Sequence, residues 1–294
     1  MYAAENAAGG DGMKKILNIP VTHEALTLIT GMTYARVPFW YGCTKEDLKM
    51  DLVMPKNTAG HASMPAVLWL CGGAFCVVDR SVWMPQLIEL ARRGYVVASA
   101  NYRTSNGAAF PSPLQDVKAA IRFLRANAAD FCIDPDRIAV MGESAGGTLA
   151  SLAGVTGEMT EYETGDYSGT SSAVQAVVDF YGLTDMSTLS GHIYDTNVPA
   201  WTMDAFLGGI TPDKLKKTSA VNYVGKKTPP FLILHGTADI TVSMANSQNL
   251  YDRLCESGVP AEFYVLEGAG HGDDRFYQPE VLELIDQFLK RHLP

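Results

Sequence analysis

Ser144 is the residue whose surroundings first suggest chemistry. It stands in Gly142-Glu143-Ser144-Ala145-Gly146-Gly147, directly after the apolar run 138–141 (IAVM) and directly before 148–153 (TLASLA), which reads as a helix. A sharp strand-to-helix turn presents its central residue at the strand's carboxyl end, and the small neighbours Gly142 and Gly146 leave room for the close backbone approach that such a turn requires. A serine of ordinary acidity is a weak nucleophile, so it needs a histidine to take its proton and a carboxylate to hold that histidine. Attack on a carbonyl also creates an oxyanion, for which the Ala145 N–H, at the positive end of the following helix, is one expected donor.

Six histidines are available for the base. His23 and His61 lie in polar stretches ahead of the core strands, His192 in an irregular excursion and His292 in the terminal helix, and all four read as surface residues. His235 follows the run FLIL in His235-Gly236-Thr237-Ala238-Asp239 and reads as structural. His271, in the glycine-rich Gly268-Ala269-Gly270-His271-Gly272 after a further strand, is the expected base. Asp239 is the expected acid, because it follows a strand by a few residues and completes a Ser–Asp–His order along the chain. Asp185 is its rival on the loop after the preceding strand, whereas Asp273 and Asp274 should point to solvent. The loop Leu70-Cys71-Gly72-Gly73-Ala74-Phe75 can bring a second backbone donor to the oxyanion. Cys71 itself, at the end of an apolar strand with no neighbouring base, reads as packing rather than as a thiol nucleophile.

The elements that must position these residues follow an α/β pattern. Segments 33–37 and 47–54 alternate like half-buried strands at an antiparallel edge. The runs 66–70, 95–98 and 138–141 are fully apolar, as buried parallel strands are, and 174–180, 231–234 and 262–266 supply three more. Leu114, Val117, Ile121 and Leu124 recur at helical spacing, with Asp116, Lys118, Arg122 and Arg125 on other faces. Val281, Leu284, Ile285 and Phe288 mark a closing amphipathic helix. Two stretches break the rhythm: the polar 157–172, and 184–227, which is too long for a connection and reads as an inserted cap with short helices. The expected organisation is an N-terminal extension over 1–30 and one domain over 31–294, a mostly parallel eight-stranded sheet with helices on both faces and the cap at about 184–227.

Bulk properties narrow the function classes. The 294 residues, 47% hydrophobic and 19% charged, provide ample core. The net charge of −9 comes without a Lys/Arg block, which argues against nucleic acid or an anionic membrane as partner and for a small molecule. Five scattered cysteines without CxxC spacing argue against a disulfide framework and a zinc site, so neither metal nor cofactor is expected and a reducing, cytoplasmic setting is the simplest one. The start, rich in Ala and Gly, lacks a signal-peptide pattern. Met13-Lys14-Lys15 resembles a second start, so residues 1–12 are expected to be a disordered extension or remnant. No apolar run has the length of a membrane span. Oligomeric state, including a homo-oligomer, is left open.

With these residues assembled, the chain resembles the hormone-sensitive-lipase-like and feruloyl-esterase-like branch of the α/β-hydrolases from about Asp51 to the C-terminus. The similarity rests on Cys71-Gly72-Gly73-Ala74 in place of a His-Gly-Gly-Gly loop, Asn101-Tyr102-Arg103, Phe110-Pro111 with Asp116-Val117, Asp134-Pro135-Asp136-Arg137-Ile138, the 142–147 turn, and the His235–Asp239 and His271 loops. The resemblance implies the α/β-hydrolase fold, a triad of Ser144, Asp239 and His271, and an oxyanion hole of the Gly73, Ala74 and Ala145 N–H groups. It also implies carboxylesterase activity on short acyl esters or on acetylated or feruloylated sugars. Cys71 departs from the family's histidine, which anchors the oxyanion loop, and Ala74 from its third glycine, which narrows the space near the carbonyl.

The expected reaction is a two-step acyl transfer through an acyl-enzyme without metal or cofactor. Phe75, Trp83, Trp201, Met203 and Phe206 are the candidates for walls of a substrate pocket. Two other classes share the fold: a prolyl-type serine peptidase, and a non-catalytic small-molecule receptor or carrier.

Overall fold

A computed structural model describes residues 13–56, 63–189 and 200–294. Residues 1–12, His61, His192 and the 190–199 part of the expected cap lie outside the described residues.

Eight strands form one sheet: β1 (Leu26–Phe39), β2 (Thr44–Pro55), β3 (Met64–Leu70), β4 (Val96–Ala100), β5 (Ile133–Glu143), β6 (Ala176–Phe180), β7 (Phe231–Gly236) and β8 (Ala261–Leu266). Their spatial order is β1-β2-β4-β3-β5-β6-β7-β8. β1 and β2 pair antiparallel, β2 joins β4 antiparallel, and every pair from β4 to β8 is parallel. The fold is the mostly parallel α/β sheet anticipated from the alternation of runs, and its carboxyl edge gathers the loops after β3, β5, β6, β7 and β8.

The period of two along each strand sorts side chains between two cores. In β3, Leu68 and Leu70 face one layer while Val67 and Trp69 face the other; in β5, Ile138 and Val140 oppose Ala139 and Met141. The first layer is closed by α2 (Ser112–Ala126), α3 (Ala145–Val155) and α6 (Ala245–Glu256), the second by α1 (Met84–Ala91) and α7 (Pro279–His292). Covering both faces is why the central strands carry continuous apolar runs rather than an alternating pattern. Two short helices, α4 (Ala200–Leu207) and α5 (Pro212–Lys217), occupy the described part of the excursion between β6 and β7. No helix among the described residues is long and apolar enough to cross a membrane.

Three local features differ from expectation. β1 begins at Leu26, inside the stretch expected as an extension; a register shift between Ile29 and Met32, beside Gly31 at φ +68°, breaks the alternation and conceals the continuity of 26–30 with 33–37. β2 is buried from Met50 onward because β4 and β1 flank it, so Asp51 lies inside and takes hydrogen bonds from Arg80 Nε (2.8 Å) and the Gly31 N–H (2.7 Å). Lys118 and Arg122 of α2, which helical periodicity assigns to polar faces, are fully buried. The loop 157–172 folds over them, and its Glu163 pairs with both cations.

Candidate active site

The turn at Ser144 is built by close backbone packing between β5 and its neighbours. Leu70 of β3 pairs with Gly142, so the oxyanion loop and the serine turn leave the sheet side by side. Ser144 takes φ 54° and ψ −120°, a strained conformation for a residue with a Cβ. The Ser144 N–H donates to the Phe180 carbonyl at 2.9 Å and its own carbonyl accepts from the Thr148 N–H, which fixes the turn between β6 and the first turn of α3. A Cβ at Gly146 would collide with the Leu70 carbonyl, so only glycine lets α3 start so near β3.

Two loops from the far half of the sheet meet this turn. Gly236 and Leu266 are paired at the ends of β7 and β8, and the Ala238 N–H donates to the Ala269 carbonyl at 2.9 Å, tying the Asp239 loop to the His271 loop. His271 Nε2 lies 2.9 Å from Ser144 Oγ, and His271 Nδ1 lies 2.8 Å from Asp239 Oδ2. Asp239 Oδ1 accepts from the N–H groups of Thr241 (2.8 Å) and Val242 (2.9 Å). Burial alone would push the Asp239 carboxyl up, but the hydrogen bonds from His235 and His271 outweigh it and hold the group well below the ordinary carboxylate range. It therefore stays ionised beside the imidazole. His271 is one-fifth exposed, with one face packed edge-on against Tyr181 at 4.7 Å between ring centroids.

The other candidates for base and acid have different partners. His235 is fully buried between Ser247 Oγ (2.7 Å) and the Val242 carbonyl (2.9 Å), with Asp239 Oδ2 at 3.3 Å, and so braces the acid loop. Asp185 accepts from the Ser187 N–H and hydroxyl and from the Asn249 side-chain amide. Asp273 caps the following turn through the Arg275 N–H and pairs with the Arg275 guanidinium.

The loop after β3, expected to serve the oxyanion, has three consecutive residues with positive φ: Gly73 at 128°, Ala74 at 52° and Phe75 at 61°. Among the described residues no acceptor takes the N–H of Gly73 or Ala74. Ala74 and Ala145 both line the small apolar pocket that opens at Ser144. Donors left unpaired in this way suit an incoming negative oxygen.

Sequence reasoning missed what anchors this loop. Glu143, the residue before Ser144, is buried and its Oε1 accepts from the Gly72 N–H (2.5 Å), Trp83 Nε1 (3.3 Å) and Cys71 Sγ (3.7 Å). Tyr102, in the Asn101-Tyr102-Arg103 motif, donates its hydroxyl to the Cys71 carbonyl at 2.7 Å. An acid at the variable position of the serine turn was the available signal. Burial, reinforced by the Glu143 charge, pushes the Cys71 thiol up to about 12, so it stays protonated and serves as a donor.

The five pocket candidates divide. Phe75 and Met203 line the pocket at Ser144 with Leu183 and Val242, and Phe206 stacks on Phe75 at 3.8 Å between centroids, closing it from behind. Trp83 lies elsewhere, stacked on Tyr277 at 4.1 Å with its indole N–H on Glu143, and Trp201 is 62% exposed. α4 turns its Met203–Phe206 face inward, which leaves Trp201 on the opposite side.

The sheet order, the strained serine turn and the loops converging on it define an α/β-hydrolase. Within that class the chain belongs to the BD-FAE family, whose model matches residues 50–254. It is 32% identical over 219 residues to esterase LipC of Mycobacterium tuberculosis, covering 71% of this chain and 53% of that relative. The chain thus spans about half the length of this curated relative. A truncated carbohydrate esterase from gut microbiota superposes with a TM-score of 0.79 at 29% identity, covering 92% of this chain and 97% of that one. The propionate-bound Est2 esterase of Thermogutta terrifontis gives 0.73 at 26% identity, covering 92% and 95%. Esterase is the activity named for each of the three.

Proposed function

We propose that the protein is a serine carboxylesterase that removes short acyl groups, acetyl foremost, from carbohydrate esters. The observation that carries the reading is the unbroken relay from Ser144 Oγ to His271 (2.9 Å) and from His271 to Asp239 (2.8 Å). In the acylation step His271 takes the Ser144 proton as the oxygen attacks the ester carbonyl. The N–H groups of Gly73, Ala74 and Ala145 receive the oxyanion, and His271 then gives its proton to the departing sugar alkoxide. Water, deprotonated by the same imidazole, attacks the acyl-enzyme and releases the acid and free serine.

The short-acyl part of the reading is supported by the small pocket beside Ser144, where Phe75, Met203, Leu183 and Val242 crowd the space that an acyl chain would enter. The propionate-bound Est2 esterase is consistent with such a pocket, and the gut carbohydrate esterase with a sugar alcohol. A feruloyl group is a poorer fit on the acyl side, because its ring would displace the Phe75–Phe206 stack.

Ser144→Ala is expected to lower kcat on p-nitrophenyl acetate by about 10⁴-fold or more and to abolish labelling by a fluorophosphonate. Wild-type turnover by that variant would end the assignment. A folded wild-type protein that neither labels nor turns over would favour a receptor on the same fold. In a panel of acyl lengths, acetyl should exceed octanoyl esters in kcat/KM by roughly 100-fold, the discrimination of a pocket closed by packed side chains.

A further inference from the structure

The hairpin joining β1 to β2 ends in Phe39, Trp40 and Tyr41, of which Trp40 is 67% and Tyr41 99% exposed. Trp40 (φ 51°) and Tyr41 (φ 54°) also occupy the left-handed region that favours Gly or Asn in such a turn. Neither burial nor backbone preference therefore selects aromatic rings here, and strain retained against both preferences points to a role outside the fold.

Topology puts this tip on the rim that carries Ser144. β2 runs antiparallel to β4 with Met50 opposite Ala100, so residues 44–48 extend past the carboxyl end of β4. Between the hairpin and the segment after β4 runs a groove lined by Phe39, Glu46, Val77, Asn101, Thr104 and Asn106. Val77 lies three residues beyond Ala74, so the groove begins within about 11 Å of chain from the expected oxyanion donors. Asn106 Nδ2 donates to the Cys76 carbonyl at 2.7 Å, which joins the groove floor to the outer side of that loop.

The lining chemistry selects a neutral polyhydroxylated ligand. Arg103, the groove's cation, is committed to Asp116 at 2.7 Å, and among the described residues Glu46 meets no cation, so an anionic ligand is disfavoured. Glu46, Thr104 and Asn106 in the lining offer polar groups to hydroxyls, and flat exposed rings suit the C–H faces of sugar rings. We propose that this groove and the Trp40–Tyr41 tip hold the glycan chain of the ester, leaving the acyl group at Ser144; the assignment rests on the carbohydrate-ester reading above.

The test replaces Trp40 and Tyr41 together, as W40A/Y41A and, because Asn-Gly suits the turn better, as W40N/Y41G. Each variant is compared with wild type on O-acetylated xylotetraose and on p-nitrophenyl acetate, which is too small to reach the hairpin. The expected result is a fall in kcat/KM of roughly tenfold or more on the oligosaccharide, mainly through KM, with p-nitrophenyl acetate unchanged. Equal oligosaccharide kinetics in wild type and both variants would overturn the groove assignment alone. Wild type that cleaves p-nitrophenyl acetate but not the oligosaccharide would overturn both the carbohydrate reading and the groove. A change of oligomeric state by light scattering without a change in oligosaccharide kinetics would overturn the glycan in favour of a second copy.

Discussion

Glu143 shows how a single side chain can replace a missing one. Where the resemblance implies a loop histidine the chain has Cys71, yet Glu143 Oε1 gathers donors from Cys71, Gly72 and Trp83 and so fixes the loop from the side of Ser144. Burial raises the Glu143 carboxyl, the cost of holding a charge where the loop must be gripped. Glu143→Ala is expected to lower kcat on p-nitrophenyl acetate by about 10- to 100-fold with a smaller change in KM, because a misplaced oxyanion donor is missed in the transition state. Glu143→Gln keeps an oxygen for the same donors and should restore most of the rate; steady-state kinetics of the two variants decide. At this scale the residues of the proposed relay and their loops were legible from glycine spacing and strand ends, whereas Glu143 was not, since its partners come from a loop about 70 residues away.

At the scale of elements, α2 illustrates how tertiary cover overrides a periodic pattern. Lys118 Nζ donates to the Thr156 carbonyl (2.7 Å), Glu163 (3.0 Å) and Ser172 (3.2 Å), and Arg122 reaches Glu163 and the Thr164 carbonyl. Burial pushes the Glu163 carboxyl up, but hydrogen bonds from Ser172 and Lys118 outweigh it and leave the group lowered. Its stabilising contribution is therefore present above the unfolded pKa and is lost as pH falls through the lower folded value. Glu163→Gln leaves two buried cations without a counter-charge and should cost about 3 kcal/mol, a fall of several degrees in Tm by calorimetry at pH 7. Turnover below the transition should be unchanged, because the network lies on the helix layer and not on the carboxyl rim. Helical spacing revealed α2 and its apolar face; only the fold of 157–172 over the other face decided that its cations are internal.

At the scale of the whole molecule, the sheet holds a carboxyl whose charge burial disfavours. Asp179, one residue from the carboxyl end of β6, is fully buried, and burial raises its carboxyl to about 6 although the Gly182 N–H donates to it at 3.0 Å. A carboxyl raised on folding favours the protonated native state, so stability includes an increment below the unfolded pKa near 4 that is lost as pH rises through about 6. Asp179→Asn removes this dependence. The unfolding free energy of the variant relative to wild type should rise by about 2 kcal/mol between pH 4 and pH 8, as read from urea titrations. A parallel pair of pH profiles would contradict the assignment.

The sequence by itself determined where the eight strands fall, apart from the start of β1, and the serine turn, and it supplied the residue types of the proposed relay, because those depend on period, chain order and local turn geometry. Only the tertiary structure brought Ser144 and His271, 127 residues apart, to 2.9 Å, seated Glu143 under the oxyanion loop, and carried the Trp40–Tyr41 tip to the same rim. Those placements follow from strand order and register, which arise from contacts between distant segments and leave no local pattern in the chain.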